Sequence, residues 1–325
     1  MRVLIASLAT PGFVFPSIAV AERLRALGHE VAFATDSSYA SALEQRGFAR
    51  IARGAPDGHS FEIDGWADPW RIAMQMKHLL AALGAFRPDA ILASNLAMGP
   101  LIVRLTHGIP VAVLGSAVLL WPSLRRGAAG EPDVDARLAW RYADQLRHLE
   151  RACAALGIAL PSEPYERSPL FGDRFLLQGV PELQRDAGAL PAAVRFAGSC
   201  ALDEIDVAGD DAAAWLAAQR AHGRRILYVQ LGRVFEAPSF WHIFREWIAR
   251  RDAAAVVCAE RHDRPIDDVP GAVLLRKRVP QDTVLPYADA VVCTGHPTAV
   301  LGALAHGVPL LVSPAGSGSE ELAEA

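Results

Sequence analysis

Cysteine is sparse in this sequence and never grouped. Cys153, Cys200, Cys258 and Cys293 stand far apart, with no C-x-x-C pair. This spacing argues against a disulfide framework or a zinc site; it predicts a reduced, cytoplasmic chain with partly buried thiols and no metal. Long apolar runs are missing too. None reaches the ~18–20 residues that a bilayer span needs, so no membrane span is predicted. Basic excess is absent: 32 Lys+Arg against 36 Asp+Glu leave a net charge of −4. The runs Arg125-Arg126 and Arg276-Lys277-Arg278 are too short for a nucleic-acid face, and no nucleic-acid partner is expected. The apolar start MRVLIASLATPGF is short and interrupted by Pro11 and then Pro16. It reads as a strand entering a loop rather than as a signal peptide. Tandem repeats and low-complexity tracts are also lacking.

What is present is core material and a rhythm. The chain has 325 residues, 52% of them hydrophobic, enough for ~2 domains. Val3 to Ser7 is an apolar strand of the kind covered on both faces. Leu8 to Phe15 reads as a loop, with Pro16 in the first turn of a helix that Gly28 ends. Val31 to Ala34 is a second strand, and Ser37 or Ser38 caps the helix after it. Strands at Asp89–Ala93 and Val111–Leu114 flank a helix from Met98 to His107. This alternation predicts a parallel, doubly wound sheet. Further strands follow at Arg174–Gly179 and Val194–Gly198. Residues 199–209 read as a linker, so the expected domains are 1–198 and 210–325. The second series has strands at Ile226–Leu231, Ala254–Ala259, Val273–Leu275, Ala290–Thr294 and Val308–Ser313. Helices are expected over Pro238–Arg250 and Pro297–His306. Residues 53–70 break the rhythm with Asp57, His59, Phe61, Asp64, Trp66 and Trp70. Aromatic-bearing insertions of this kind often line a binding site. A second such loop carries Trp121.

Two segments resemble one family. MRVLIASLATPGFVFPSIAVAERLRALGHEV is similar to the opening of bacterial antibiotic-tailoring glycosyltransferases. VPQDTVLPYADAVVCTGHPTAVLGALAHGVPLLVSPAGSGSEELAEA resembles their C-terminal nucleotide-sugar signature. GSCALD and YVQLGRVF match the linker and the first strand of the second domain. The resemblance spans nearly the whole chain. It implies a GT-B fold, an α/β architecture of two Rossmann-like domains facing a cleft. The first domain would hold a lipophilic small-molecule acceptor and the second a UDP- or dTDP-sugar. The chain stops before the several helices that usually follow, so an incomplete second domain is expected. Apolar surface left there would suit a homodimer.

The positions that carry the family's chemistry are substituted. Its catalytic base aligns with Phe13, and phenyl takes no proton. The carboxylate that steers the base aligns with Ser94 or Asn95. In the second domain the diphosphate-binding His aligns with Thr294, the ribose-binding Glu with Gly302, and the sugar-gripping Asp-Gln pair with Gly318 and Ser319. Gln281 persists. Each unpaired buried hydroxyl would cost about 1–3 kcal/mol. The expectation is therefore that no cofactor is required and that an ordinary nucleotide-sugar donor is poorly held.

The remaining candidates are Arg233, Gln281, Gly295, His296 and Thr298 for a donor's anionic part. A surface arginine explains Arg233 equally well, and a structural helix-start histidine explains His296. Phe13, Phe15, Trp66, Trp70, Asn95 and Trp121 could line an acceptor pocket, or pack a core. His59 with Asp57 or Asp64 could replace the missing base, although loop histidines and aspartates are common. Three functions stay open. The first is sugar transfer in natural-product tailoring. The second is a sugar-independent cyclisation, condensation or isomerisation in the acceptor pocket. The third is a non-catalytic auxiliary role.

Overall fold

The computed structural model describes residues 1–54, 57–116, 124–126, 132–134, 136–183, 190–202, 211–231, 238–250, 252–258 and 272–313. The chain divides into two compact units, Met1–Leu202 and Asp203–Ala325.

In unit 1, seven parallel strands form one sheet. They are β1 (Arg2–Ala6), β2 (Glu30–Ala34), β3 (Ala49–Arg50), β4 (Ala90–Ser94), β5 (Val111–Gly115), β8 (Arg174–Leu177) and β9 (Val194–Phe196), in the order β3-β2-β1-β4-β5-β8-β9. A small antiparallel ribbon joins β6 (Leu124–Arg126) to β7 (Pro132–Val134). The helices are α1 (Pro11–Ala26), α2 (Ala40–Gln45), α3 (Pro69–Phe86), α4 (Gly99–His107) and α5 (Ala136–Ala155). Alternate strand residues serve opposite faces. Leu4, Ala6, Ile91, Ala93 and Phe175 pack with residues of α3, α4 and α5. Val3, Ile5, Phe33 and Leu92 pack with residues of α1 and α2.

Unit 2 repeats the scheme with five parallel strands. These are β10 (Arg225–Gln230), β11 (Ala253–Cys258), β12 (Ala272–Arg276), β13 (Ala290–Cys293) and β14 (Leu310–Val312), in the order β12-β11-β10-β13-β14. Residues of α6 (Ala212–Ala221), α8 (Gln281–Val284) and α9 (Pro297–Ala305) cover one face. Residues of α7 (Pro238–Arg250) cover the other. The chain runs out from β10 to the β12 edge and returns to place β13 on β10's other side. A crevice for ligands forms at such a reversal, beyond the carboxyl ends of the two strands.

Two expected boundaries move. Helix α1 begins at Pro11, not Pro16, because Pro11 also suits a first helical position and follows extended Thr10. Pro16 lies inside the helix, and the Ser17 hydroxyl donates to the Phe13 carbonyl at 2.7 Å beside it. After β2 the cap is neither Ser37 nor Ser38. Asp36 caps the 3-10 turn Ser37–Tyr39, accepting from the Ser38 amide at 2.9 Å, and α2 follows with Tyr39 at its cap position and no side-chain cap bond. Among the described residues no helix is long and apolar enough to cross a membrane.

Candidate functional site

The carboxyl edge of the unit 1 sheet brings three stretches together. The loop after β1 runs from Ser7 to Thr10. Its Ala9 amide donates to the Phe61 carbonyl at 2.7 Å, and Ala9 pairs with Glu62 in a parallel bridge. That bond ties the aromatic insertion to the end of β1. Asp36 lies two residues beyond β2. Its side chain is 6% exposed, whereas that of His59 is 61% exposed.

His59 is paired, but not with the carboxylates first considered. Its Nδ1 lies 3.0 Å from Asp36 Oδ2 and 3.2 Å from Glu62 Oε1. Asp57 instead forms an ion pair with Arg50 and accepts from the Arg53 amide at 3.0 Å. Asp64 is exposed in a short 3-10 turn and has no such contact with His59. Burial opposes the charge on Asp36, yet the Ser38 amide and side chain and the His59 ring together hold its carboxyl below the usual range. Arg71 braces the loop, donating to the His59 carbonyl at 3.1 Å and lying 3.4 Å from Glu62. Asp36, His59 and Glu62 each offer one ligand atom, all within 4.8 Å of one another. Among the described residues this is the group that could hold a metal ion.

The other positions of unit 1 have structural partners. Phe13 is half-buried against the core on the α3 side of the sheet. Phe15 is buried on the opposite side, edge-on to Tyr39 at 6.1 Å. Trp66 packs on the core and meets the His148 ring at 5.2 Å. Trp70, in the first turn of α3, is 62% exposed. Ser94 accepts from the Leu8 amide at 3.0 Å, so its hydroxyl ties the β4 end to the loop after β1. Asn95 is buried, with its Nδ2 lacking a hydrogen-bond partner among the described residues. Trp121 lies outside the described residues.

In unit 2 the β10/β13 crevice gathers polar groups from four segments. Gln230 ends β10. Its Nε2 donates to the Tyr228 hydroxyl at 2.5 Å, and that hydroxyl donates to the Val279 carbonyl at 3.4 Å. The orientation turns Gln230 Oε1 toward Gln281 Nε2, 3.4 Å away. Gln281 opens α8. A Cβ at Gly302 would overlap Gln281 Oε1. The lack of a side chain at Gly302 leaves that space to the Gln281 carboxamide oxygen.

Beyond β13 the chain passes through Thr294 and Gly295, whose φ of +80° favours glycine. It then enters α9 with His296 in the extended cap position and Pro297 in the first turn. His296 Nδ1 lies 2.9 Å from Thr298 Oγ1. Gly295, His296, Thr298 and Gln281 therefore share the edge where strands β10 and β13 end. A helix start there favours an anion. Arg233 lies outside the described residues, as do Gly318 and Ser319. Sequence reasoning missed Asp36, Glu62 and Gln230. The one available signal was position, since Asp36 lies two residues beyond β2 and Gln230 closes β10.

No protein-family model matches the chain. The chain is similar to 4'-demethylrebeccamycin synthase of Lentzea aerocolonigenes, at 26% identity over 99% of this chain and 84% of that protein. Among solved structures it resembles the glycotransferase of kitacinnamycin, with a TM-score of 0.72 and 23% identity over 99% of this chain and 83% of that one. It also resembles the spinosyn rhamnosyltransferase SpnG complexed with thymidine diphosphate, with a TM-score of 0.64 and 20% identity over 100% and 83%. The bound thymidine diphosphate overturns the expectation that a nucleotide-sugar donor is dispensable or poorly held in this fold. Counting lost side chains misled because the crevice at the strand reversal and the helix start are backbone features, which the substitutions leave in place.

Proposed function

Since the chain has a GT-B fold and is related to natural-product tailoring glycosyltransferases, we propose that it transfers a sugar from a thymidine or uridine diphosphate sugar to a lipophilic natural-product acceptor. The observation that carries this reading is the β10/β13 crevice, with Gln230 and Gln281 on one side and the Gly295–Thr298 helix start on the other. The diphosphate is assigned to the start of α9, where backbone N–H groups and the helix dipole favour negative charge. Gln281 is assigned to the nucleoside, with the Tyr228–Gln230 chain holding its partner in place. Unit 1 is assigned the acceptor. SpnG has been captured with spinosyn aglycone, a lipophilic acceptor bound by a protein of the same fold.

The test is thermal unfolding with and without thymidine diphosphate (dTDP) or UDP. At a free concentration about 100 times Kd, a nucleotide bound only by the folded chain adds ~2.7 kcal/mol of stability. The expected result is a rise in Tm with at least one nucleotide, reduced in Gln281→Ala. No rise with either nucleotide would overturn the reading.

A further inference from the structure

The transferase reading lacks a base, because Phe13 stands where the resemblance would put one. We propose that His59 is the general base of this protein and that Asp36 is its positioning residue. The assignment rests on the transferase reading and adds the proton acceptor that it needs.

The geometry sets the protonation of the ring. Both oxygens facing Nδ1 belong to carboxylates, Asp36 Oδ2 at 3.0 Å and Glu62 Oε1 at 3.2 Å. Ionised carboxylates only accept, so Nδ1 carries the hydrogen. The neutral ring therefore keeps its lone pair on Nε2. The side chain is 61% exposed, so that atom can be reached. Asp36 is the buried member, held by the Ser38 amide at 2.9 Å and kept ionised. A fixed carboxylate behind an exposed imidazole orients the ring and stabilises its cation as a proton arrives.

Position agrees with the role. The Ala9–Phe61 bond clamps the His59 loop to the loop after β1, the segment that contains Phe13's helix start. The Arg53 guanidinium fills the space where a Cβ of Gly58 would stand, so the residue before His59 is packed down. The charged groups facing the ring are Asp36 from just beyond β2 and Glu62 from the insertion, with Arg71 of α3 on Glu62 and on the His59 carbonyl.

The step balances without a further reactant. His59 Nε2 takes the proton of an acceptor hydroxyl. The hydroxyl oxygen bonds to the anomeric carbon of the nucleotide sugar. The bond from that carbon to the β-phosphate oxygen breaks, and its electron pair leaves with the nucleoside diphosphate. The proton stays on His59 as an imidazolium beside Asp36 and Glu62.

The experiment uses the full chain, dTDP-glucose and the phenol 4-methylumbelliferone, with kcat and KM followed for the wild type and each variant. Calorimetric Kd for dTDP is measured on every variant. The expected result is measurable wild-type transfer. His59→Ala and His59→Gln lower kcat by about 10²–10⁴-fold with dTDP affinity unchanged. Asp36→Asn lowers kcat less, with KM for the acceptor and dTDP affinity unchanged, because the ring loses the buried carboxylate that orients it. Added imidazole restores part of the His59→Ala rate. The proposal is overturned by an absence of wild-type transfer, or by a His59→Ala rate that added imidazole leaves unchanged. It is also overturned by His59 variants that keep more than about a tenth of kcat, or by transfer that stops with a chelator and returns with Mn²⁺. That last outcome would make Asp36, His59 and Glu62 metal ligands. A chain that binds no dTDP or UDP fails the transferase reading itself; one that binds nucleotide yet dispenses with His59 fails only the base.

Discussion

His78 is the second histidine of the insertion region, and it behaves oppositely to His59. It lies on α3 with its side chain buried, donating from Nε2 to the Ile51 carbonyl at 2.7 Å. Its ring meets Phe61 edge-on at 5.4 Å. Burial pushes its pKa below the ordinary value of 6.5, and the Ile51 bond and nearby Asp57 only partly offset this. A proton therefore binds the unfolded chain more readily than the folded one. Stability from this group is complete above about pH 6.5 and falls as pH drops through that value toward the folded one. Urea midpoints at about pH 7.5 and pH 5.5 are expected to fall more steeply in the wild type than in His78→Gln, which keeps an amide donor but does not titrate. An equal fall in both would remove His78 as the cause. His59 and His78 could not be told apart in the sequence. Residue type alone does not separate them; only the fold puts one ring outside and the other against Phe61.

At the scale of elements, the crossing of α3 and α4 is set by one glycine. A Cβ on Gly99 would lie 2.5 Å from Gln75 Cβ and 3.0 Å from the Met76 amide nitrogen. The Gly99 amide also donates to Gln75 Oε1 at 3.0 Å. Alanine in a helix gains at most about 1 kcal/mol over glycine by propensity. Overpacking against a backbone atom costs about 1–3 kcal/mol, because α3 must shift as a whole. The clash wins, and Gly99→Ala is expected to lower the urea midpoint. Gly84→Ala on α3 meets nothing within 4 Å. It is expected to raise stability by about 0.4–1 kcal/mol. Opposite signs for the two substitutions are the check, and a gain in both would mean that α3 and α4 are loosely packed. Helix existence was legible for α4 and for Pro238–Arg250, though not for α3. The start of α1 was not, since two prolines both suit a first turn and only the extended Thr10 backbone chooses between them.

At the scale of the whole molecule, the donor assignment predicts where a nucleotide is felt. With dTDP bound, amide hydrogen exchange is expected to slow at the ends of β10 and β13 and in the first turn of α9. The β1–β4 strands of unit 1 should exchange as before. Protection confined to unit 1 would overturn the placement of the donor in unit 2. The two parallel sheets themselves were legible in the sequence, because apolar strands alternating with helical stretches are a local pattern that each segment carries alone. The resemblance to tailoring glycosyltransferases was legible for the same reason, through motifs contiguous in the chain. Side-chain partnership was not. Asp36 and His59 are 23 positions apart, and Gln230 and Gln281 are 51 apart. In a parallel sheet, strands distant in sequence deliver their carboxyl ends to one edge. The sequence by itself therefore determined the framework and named His59 and Gln281. Only the tertiary structure decided that Asp36, rather than Asp57 or Asp64, faces the first, and that the space at Gly302 receives the second.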